Sequence, residues 1–297
     1  MANITGTEAD TAVSLDDFRT LVLARGRKLY RDLPWRHTYD PYEIWISEVM
    51  LHQTQVSRVD GRWQRWLKRF PTVDALAAAQ PADVLDEWQG MGYNRRALAL
   101  LKAATMVSGS GGVFPHEVHD LVALPGIGPA TAAGIRAFAH NLPGVYLETN
   151  VRAVFLHELY PDATQVPDKE LVPLVEATCP QTVTADDSPR IWYYALLDYG
   201  AYLKRTVPNP SRRSRTHVRQ SRFEGSHRQK RAMAVRALLA HREVGDGGIG
   251  LASLAAELSS QELQAGRPPI DEATALALLE ELTREGFCRQ EGERWFA

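Results

Sequence analysis

Cysteine is nearly missing from this chain. Its 297 residues hold two, Cys179 and Cys288, far apart and in no CxxC pair. That excludes a disulfide framework and a cysteine-rich metal site. Long apolar runs are missing as well, and no stretch approaches the roughly 20 residues of a membrane span. The polar, acidic start, "MANITGTEADTAVSLDDF", has no apolar signal-peptide core. A cytoplasmic protein without a membrane partner is therefore expected. Strand-like alternation is missing from the first 205 residues. His37, His52 and His157 lack metal-ligand company, and His116 and His119 sit beside the Gly-rich "SGSGG". All five read as structural or solvated, and no metal or other cofactor is expected.

Net charge is also small, at −2, but it is unevenly spread. Residues 204–231 hold ten Lys or Arg and one acid, Glu224. The flanking parts are mildly acidic. A concentrated basic stretch in an acidic chain points to a polyanion partner, although a solvated linker has the same composition.

Helical periodicity dominates what is present. "SLDDFRTLVLARGRKLY" opens on a serine cap, and "DPYEIWISEVMLHQTQVSRV" reads as a second helix. Further helices follow in "RWQRWLKRF", "RRALALLKAATMV", "GPATAAGIRAFAH", "VRAVFLHELY", "DKELVPLVEAT" and "SPRIWYYALLDYGAYLKR". The tryptophans of 63–66 read as core. Residues 1–205 form an all-helical domain on this pattern. Residues 206–227, rich in Pro, Ser and Arg, read as an extended basic connector. Residues 228–297 read as three helices and a terminal hairpin, a small winged-helix-like module. Its third helix carries Asp271, Glu272, Glu280, Glu281 and Glu285, which phosphate would repel. A packing or protein-contact role suits that helix better than groove reading.

Two stretches carry the chemistry. In "LPGIGPATAAGI" (124–135) a Pro-Gly-x-Gly turn leads straight into a helix. Gly126 and Gly128 allow a tight turn, and the free N–H groups of the new helix favour an anion. In "VYLETNVRAV" (145–154) a carboxylate, Glu148, stands among apolar residues. Read alone, Thr149 or Asn150 would cap a helix from Val151, with Glu148 solvated outside it.

Taken in order, "LPWRHTYDPYEIWISEVMLHQTQV" (33–56), "WQGMGYNRRALAL" (88–100), "ALPGIGPATAAGI" (123–135) and "ETNVRAV" (148–154) resemble the helix-hairpin-helix DNA glycosylases. The likeness is to their adenine-excising, mismatch-repair members and covers about residues 15–205. It implies an all-α, two-lobed fold and a base-excision enzyme that acts on double-stranded DNA holding a mispaired or damaged base. Adenine opposite a damaged or mismatched guanine is the expected target, and a monomer the expected state. Another altered base (uracil, thymine or hypoxanthine) and a non-catalytic damage binder stay open as alternatives.

The resemblance also assigns roles. Glu48, inside the apolar "WISEVML", becomes the general acid, because burial keeps a carboxyl protonated. Glu148 takes the place where the family has Asp, as the charged partner, and Asn150 orients water or the carboxylate. Gln53, Gln55 and Tyr93 meet the duplex where a base has been flipped out, and Gly126 and Gly128 grip a phosphate. The connector's Arg212, Arg213, Arg215, Arg219 and Arg222 suit tracking of phosphates. Three departures stand out. Glu148 is one methylene longer than Asp. Ala130 replaces the lysine of lyase-competent relatives. The four-cysteine iron–sulfur loop expected after "LLDYGAYLKR" is absent, as is the family's lesion-reading C-terminal domain.

Overall fold

The computed structural model describes residues 14–217, 222–242 and 247–297. Fifteen α-helices run along the described chain: α1 (Leu15–Leu29), α2 (Pro41–Leu51), α3 (Val56–Val59), α4 (Arg62–Arg69), α5 (Val73–Ala77), α6 (Pro81–Glu87), α7 (Arg95–Gly109), α8 (Val118–Ala123), α9 (Pro129–His140), α10 (Thr149–Glu158), α11 (Asp168–Thr178), α12 (Pro189–Thr206), α13 (His227–Ala240), α14 (Leu251–Gln264) and α15 (Glu272–Glu285). Three short strands, β1 (Ile249–Gly250), β2 (Arg289–Glu291) and β3 (Arg294–Phe296), complete it. Among the described residues no helix is long and apolar enough to cross a membrane. The predominantly helical class expected from the sequence is the class observed.

The chain divides into two compact units that are not consecutive in sequence. The first comprises residues 1–48, 115–123 and 127–218; the second comprises 49–114, 124–126 and 219–297.

In the first unit, α1 and α10 pack on α12. Local chemistry sets the helix ends. Ser14 caps α1 by accepting from Asp17 N, two acids follow in its first turn, and Arg27 and Lys28 close it, in keeping with the helix dipole. Ser188 caps α12 in the same way, with Pro189 at its first position. Phe18, Phe155 and Trp192 pack ring against ring at the centre. Gly200 of α12 is required by the fit: a Cβ there would lie 2.2 Å from the Asn150 carbonyl oxygen. Helix α12 thus receives the start of α10 at backbone distance.

The basic connector is not extended where it is described. A 3-10 turn, Pro210–Arg213, is capped by Asn209, and Val166 pairs with the backbone of Arg213 and Arg215. Arg213 reaches three carbonyls at the end of α10, donating to Leu156 O and Tyr160 O at 2.6 Å each and also to Pro161 O. A helix C-terminus presents unpaired carbonyls and negative potential, and a guanidinium satisfies both. This corrects the expectation that Arg213 tracks phosphates. Arg213→Ala is expected to destabilise the protein by about 2–3 kcal/mol, read as a urea midpoint shift, while the salt dependence of DNA binding stays as in the parent.

In the second unit the tryptophans are core, as expected: Trp66 stands edge-on to Phe70 and Trp88, and Trp63 is buried beside them. Helices α13, α14 and α15 bury Leu238, Leu254, Leu258, Leu278 and Leu282. The strands form an antiparallel sheet in the order β1-β3-β2, with Ile249 opposite Trp295 and Gln290 on its other side. The terminal hairpin was legible in sequence. Its partner β1 was not, because two residues show no alternation. The acids of α15 have intramolecular partners. Glu281 takes Arg231 and His227, and Glu285 takes Arg231 and Arg95. Asp83 in turn pairs with Arg242 and Arg69.

Candidate active site

Helix α2 carries Glu48 into the interior of the first unit, where it is 6% exposed. The Tyr146 hydroxyl donates to its Oε2 at 2.9 Å. Burial pushes the Glu48 pKa up to about 8, against the Tyr146 hydrogen bond and with help from the charge of Glu148. The carboxyl therefore keeps its proton at neutral pH. Helix α9 makes room for the pair through Gly134. A Cβ there would sit 2.5 Å from Glu48 Oε2 and 2.8 Å from the Tyr146 ring, closer than van der Waals contact allows.

Glu148 is itself the N-cap of α10, which corrects the placing of the cap at Thr149 or Asn150. Its Oε1 accepts from Asn150 N at 2.5 Å and Val151 N at 3.0 Å. Helix N-termini favour a carboxylate for the reasons that make them anion sites. Burial raises the Glu148 pKa, while the Val151 N–H, the Lys204 charge and the Asn150 N–H oppose the rise. Glu48 has a single neutral donor from Tyr146; Glu148 has two N–H donors and a nearby ammonium. The two carboxyls thus stand in unlike environments, one suited to hold a proton and the other a charge.

Asn150 is fixed from both ends. Its backbone N–H serves Glu148, and its side-chain Oδ1 accepts from Lys204 Nζ at 3.0 Å. Lys204 lies one helical turn after Gly200 on α12, so the residue that lets α10 approach and the residue that holds it share a face.

Tyr146 and Lys204 were not found from sequence. Tyr146 lies two residues before Glu148 in chain that enters α10 in an extended conformation, where alternate side chains point the same way. That spacing is the signal that was available. Nothing in sequence singled out Lys204.

The residues expected to meet the unstacked duplex lie in the second unit. The sequence reads one helix from Pro41 through Val59, but α2 stops at Leu51 and α3 starts at Val56. Between them Gln53 has φ 55°, a left-handed conformation that ends a helix. Tyr93 has φ 49°. Arg96 stitches these two turns together. It donates to Val49 O and His52 O at 2.7 Å each, and to Thr54 Oγ1, Met91 O and Gly92 O at 3.0–3.3 Å. Burial lowers its pKa to about 10. Gln53, Gln55 and Tyr93 are all exposed. Arg96 was also missed, since the second arginine of "NRRAL" looks like a surface residue.

In the hairpin before α9, Gly126 has φ 80° and comes so close to Ala99 that a Cβ would lie 2.9 Å from that methyl. Gly128 is the N-cap of α9 in ordinary extended conformation, with no side chain capping the helix. Of the connector arginines, Arg212 and Arg215 are exposed, Arg222 pairs with Glu224 at the surface, and Arg219 lies outside the described residues. Among the described residues no three His, Cys, Asp or Glu come together to hold a metal ion.

Residues 46–177 match the model of the HhH-GPD superfamily base excision DNA repair proteins. The chain is 38% identical over 173 residues to an adenine DNA glycosylase of Mycolicibacterium smegmatis, covering 58% of each. It is 42% identical over 137 residues to that of Mycobacterium tuberculosis, covering 46% of this chain and 45% of the relative. It is 34% identical over 179 residues to one from Buchnera aphidicola, covering 60% and 49%. The chain thus spans about half the length of the curated relatives it matches. Among solved structures, a thermostable thymine-DNA glycosylase superposes with a TM-score of 0.55 at 24% identity, covering 63% of this chain and 86% of that one. Endonuclease III in a non-covalent DNA complex gives 0.53 at 19%, covering 64% and 86%. These two likenesses concern the fold. With the hairpin, the buried acid and the capping carboxylate in place, residues 46–177 form a domain of the HhH-GPD superfamily of base excision DNA repair proteins.

Proposed function

We propose that the protein is a monofunctional DNA N-glycosylase that excises adenine lying opposite a damaged or mismatched guanine. The observation that carries this reading is the pairing of a proton-holding Glu48 with a Glu148 anchored as a carboxylate at the start of α10. The choice of adenine rests on the names of the relatives.

Glycosidic cleavage needs those two groups. A base inside a duplex is out of reach, so the nucleotide is flipped out of the stack. Glu48 gives its proton to the departing base, which leaves with the electron pair of the N-glycosidic bond. Positive charge develops at the sugar's C1′ and ring oxygen. The Glu148 carboxylate stabilises that charge and guides a water to C1′. The water's proton returns to a carboxylate, and an abasic sugar remains. Tyr146 fixes the rotamer of Glu48 and occupies Oε2, leaving Oε1 to carry the proton. On the DNA side, Gly126, Gly128 and the free N–H groups of α9 take a phosphate. Arg212, Arg215, Arg219 and Arg222 add backbone contacts, and Gln53, Gln55 and Tyr93 meet the gap left by the flipped base.

Single-turnover excision from a panel of duplexes, each with one altered pair, tests the reading. Adenine should be released fastest, and the product strand should stay intact until alkali or heat is applied, because Ala130 offers no amine. Release of thymine or uracil in its place would reassign the pocket. Binding without release from any duplex would make the protein a damage binder. Borohydride trapping of a covalent complex would show lyase chemistry, with Lys204, beside Asn150, as the amine to replace first.

A further inference from the structure

The first turn of α13 lies against the turn that carries Tyr93, within the second unit. Arg228 Nη1 donates to the Tyr93 hydroxyl at 3.1 Å. The same guanidinium lies 5.8 Å from the Tyr93 ring centre and 6.0 Å from that of Phe223. Both rings are open to solvent, Tyr93 at 41% and Phe223 at 52%. Exposed aromatic rings on either side of a guanidinium are unusual on a surface without a partner, since each ring leaves apolar area in water.

This strip is held from behind. Ser226 caps α13 by accepting from Gln229 N. Arg231, one turn after Arg228, is clamped by Glu281 at 2.7 Å and Glu285 at 2.5 Å. Glu285 is shared with Arg95, two residues beyond Tyr93, at 2.7 Å. From the other side Arg96 fixes the Tyr93 turn by its carbonyls. The acids of α15 thus brace α13 against the start of α7, and Arg228 faces outward from a rigid seat.

We propose that Tyr93, Arg228 and Phe223 form a reading surface for the unpaired purine left opposite the flipped base. The proposal rests on the glycosylase reading above and goes beyond it by giving the C-terminal segment a part in substrate choice. Once a nucleotide is flipped out, its partner is the base in the duplex with an edge free of pairing. Aromatic faces gain most from such a base by stacking. A guanidinium fork matches the two acceptors, O6 and N7, on one edge of guanine, whereas cytosine and thymine offer no such pair. One strip therefore supplies both stacking and purine preference.

The test is binding of the full-length protein to duplexes containing a tetrahydrofuran abasic analogue opposite guanine, 8-oxoguanine, cytosine or thymine. The parent should favour a purine opposite. Arg228→Ala should reduce the guanine-over-cytosine preference about tenfold. Arg228→Lys should lose most of it too, since an ammonium keeps the charge but not the fork. Phe223→Ala should weaken binding to every duplex about tenfold. A uniform loss across all opposite bases in Arg228→Ala, with the log–log salt slope smaller by about one, would assign Arg228 to a phosphate and overturn the proposal. Unchanged binding in both variants would overturn it as well. If the parent released no base from any duplex, the catalytic reading would fail, while these binding ratios would still decide the role of the strip.

Discussion

Glu48→Gln is expected to abolish excision and to change the pH dependence of stability at the same time. The variant keeps a carbonyl to accept from Tyr146, so the fold and DNA binding should persist. It lacks a proton to give, and general-acid contributions of this kind are worth about 10³-fold in rate. The stability effect follows from the parent's raised pKa, which burial lifts from 4.5 to about 8. Below pH 4.5 the carboxyl is neutral in both folded and unfolded chains and contributes no pH dependence. Between 4.5 and 8 the unfolded chain ionises while the folded one resists, so the parent loses stability as pH rises. Above 8 both are ionised and the loss is complete. Relative to the variant, the parent should therefore lose roughly 5 kcal/mol across that interval. Urea titrations of both proteins at pH 4.5, 6 and 8 measure it. In single-turnover excision the parent rate should fall tenfold per pH unit above about pH 8. A rate that stays level to pH 10 would remove Glu48 from the role of acid.

The second large effect belongs to Glu148. Glu148→Gln keeps the side-chain oxygen that accepts from Asn150 and Val151, so α10 should start where it does now. It removes the charge, and loss of a preorganised charge of this kind costs on the order of 10²-fold or more in the chemical step. DNA affinity should be retained. Glu148→Asp decides whether the longer side chain is an adaptation. It shortens the reach by about 1.5 Å, a displacement to which catalysis is sensitive. If the loop fits glutamate, the Asp variant should also be slow. An Asp variant faster than the parent would mark Glu148 as a degraded site, and an undiminished Gln variant would exclude it from the mechanism. Because burial raises the Glu148 pKa, the acid limb of the rate profile should lie above the ordinary glutamate range.

The legible and illegible parts of this molecule differ in physical origin. Helices such as α1 and α12 announce themselves through local chemistry: a serine cap, a proline at the first turn and apolar residues at helical spacing. The hairpin glycines are equally local, and so is an acid surrounded by apolar neighbours at Glu48. What escaped are contacts that close over long stretches of chain. Tyr146 meets Glu48 across 98 residues, Arg213 meets Leu156 across 57, and Arg96 meets Val49 across 47. Each is a polar side chain whose partner no local pattern specifies. The cap at Glu148 was misplaced by two short polar neighbours, Thr149 and Asn150, which are the commoner capping types. The basic connector misled for a related reason: composition records the charge of Arg213 but not the helix end that uses it.

The interleaving of the two units has a consequence for how the protein is made. As the chain leaves the ribosome, residues 49–114 emerge early, yet the unit they belong to also needs residues 219–297. Until then the surface that carries Arg95 and Asp83 waits without Glu285 and Arg242. The first unit faces a milder delay, being complete at residue 218. Synthesis from the N-terminus therefore finishes the acid–base pair before the strip at Tyr93 has its last members, and residues 49–114 are the part most exposed to misassembly in the interval. Proteolysis of chains stalled shortly after residue 218 has emerged should cut within 49–114 while sparing α9, α10 and α12; equal protection of both would show that the second unit does not wait for its tail.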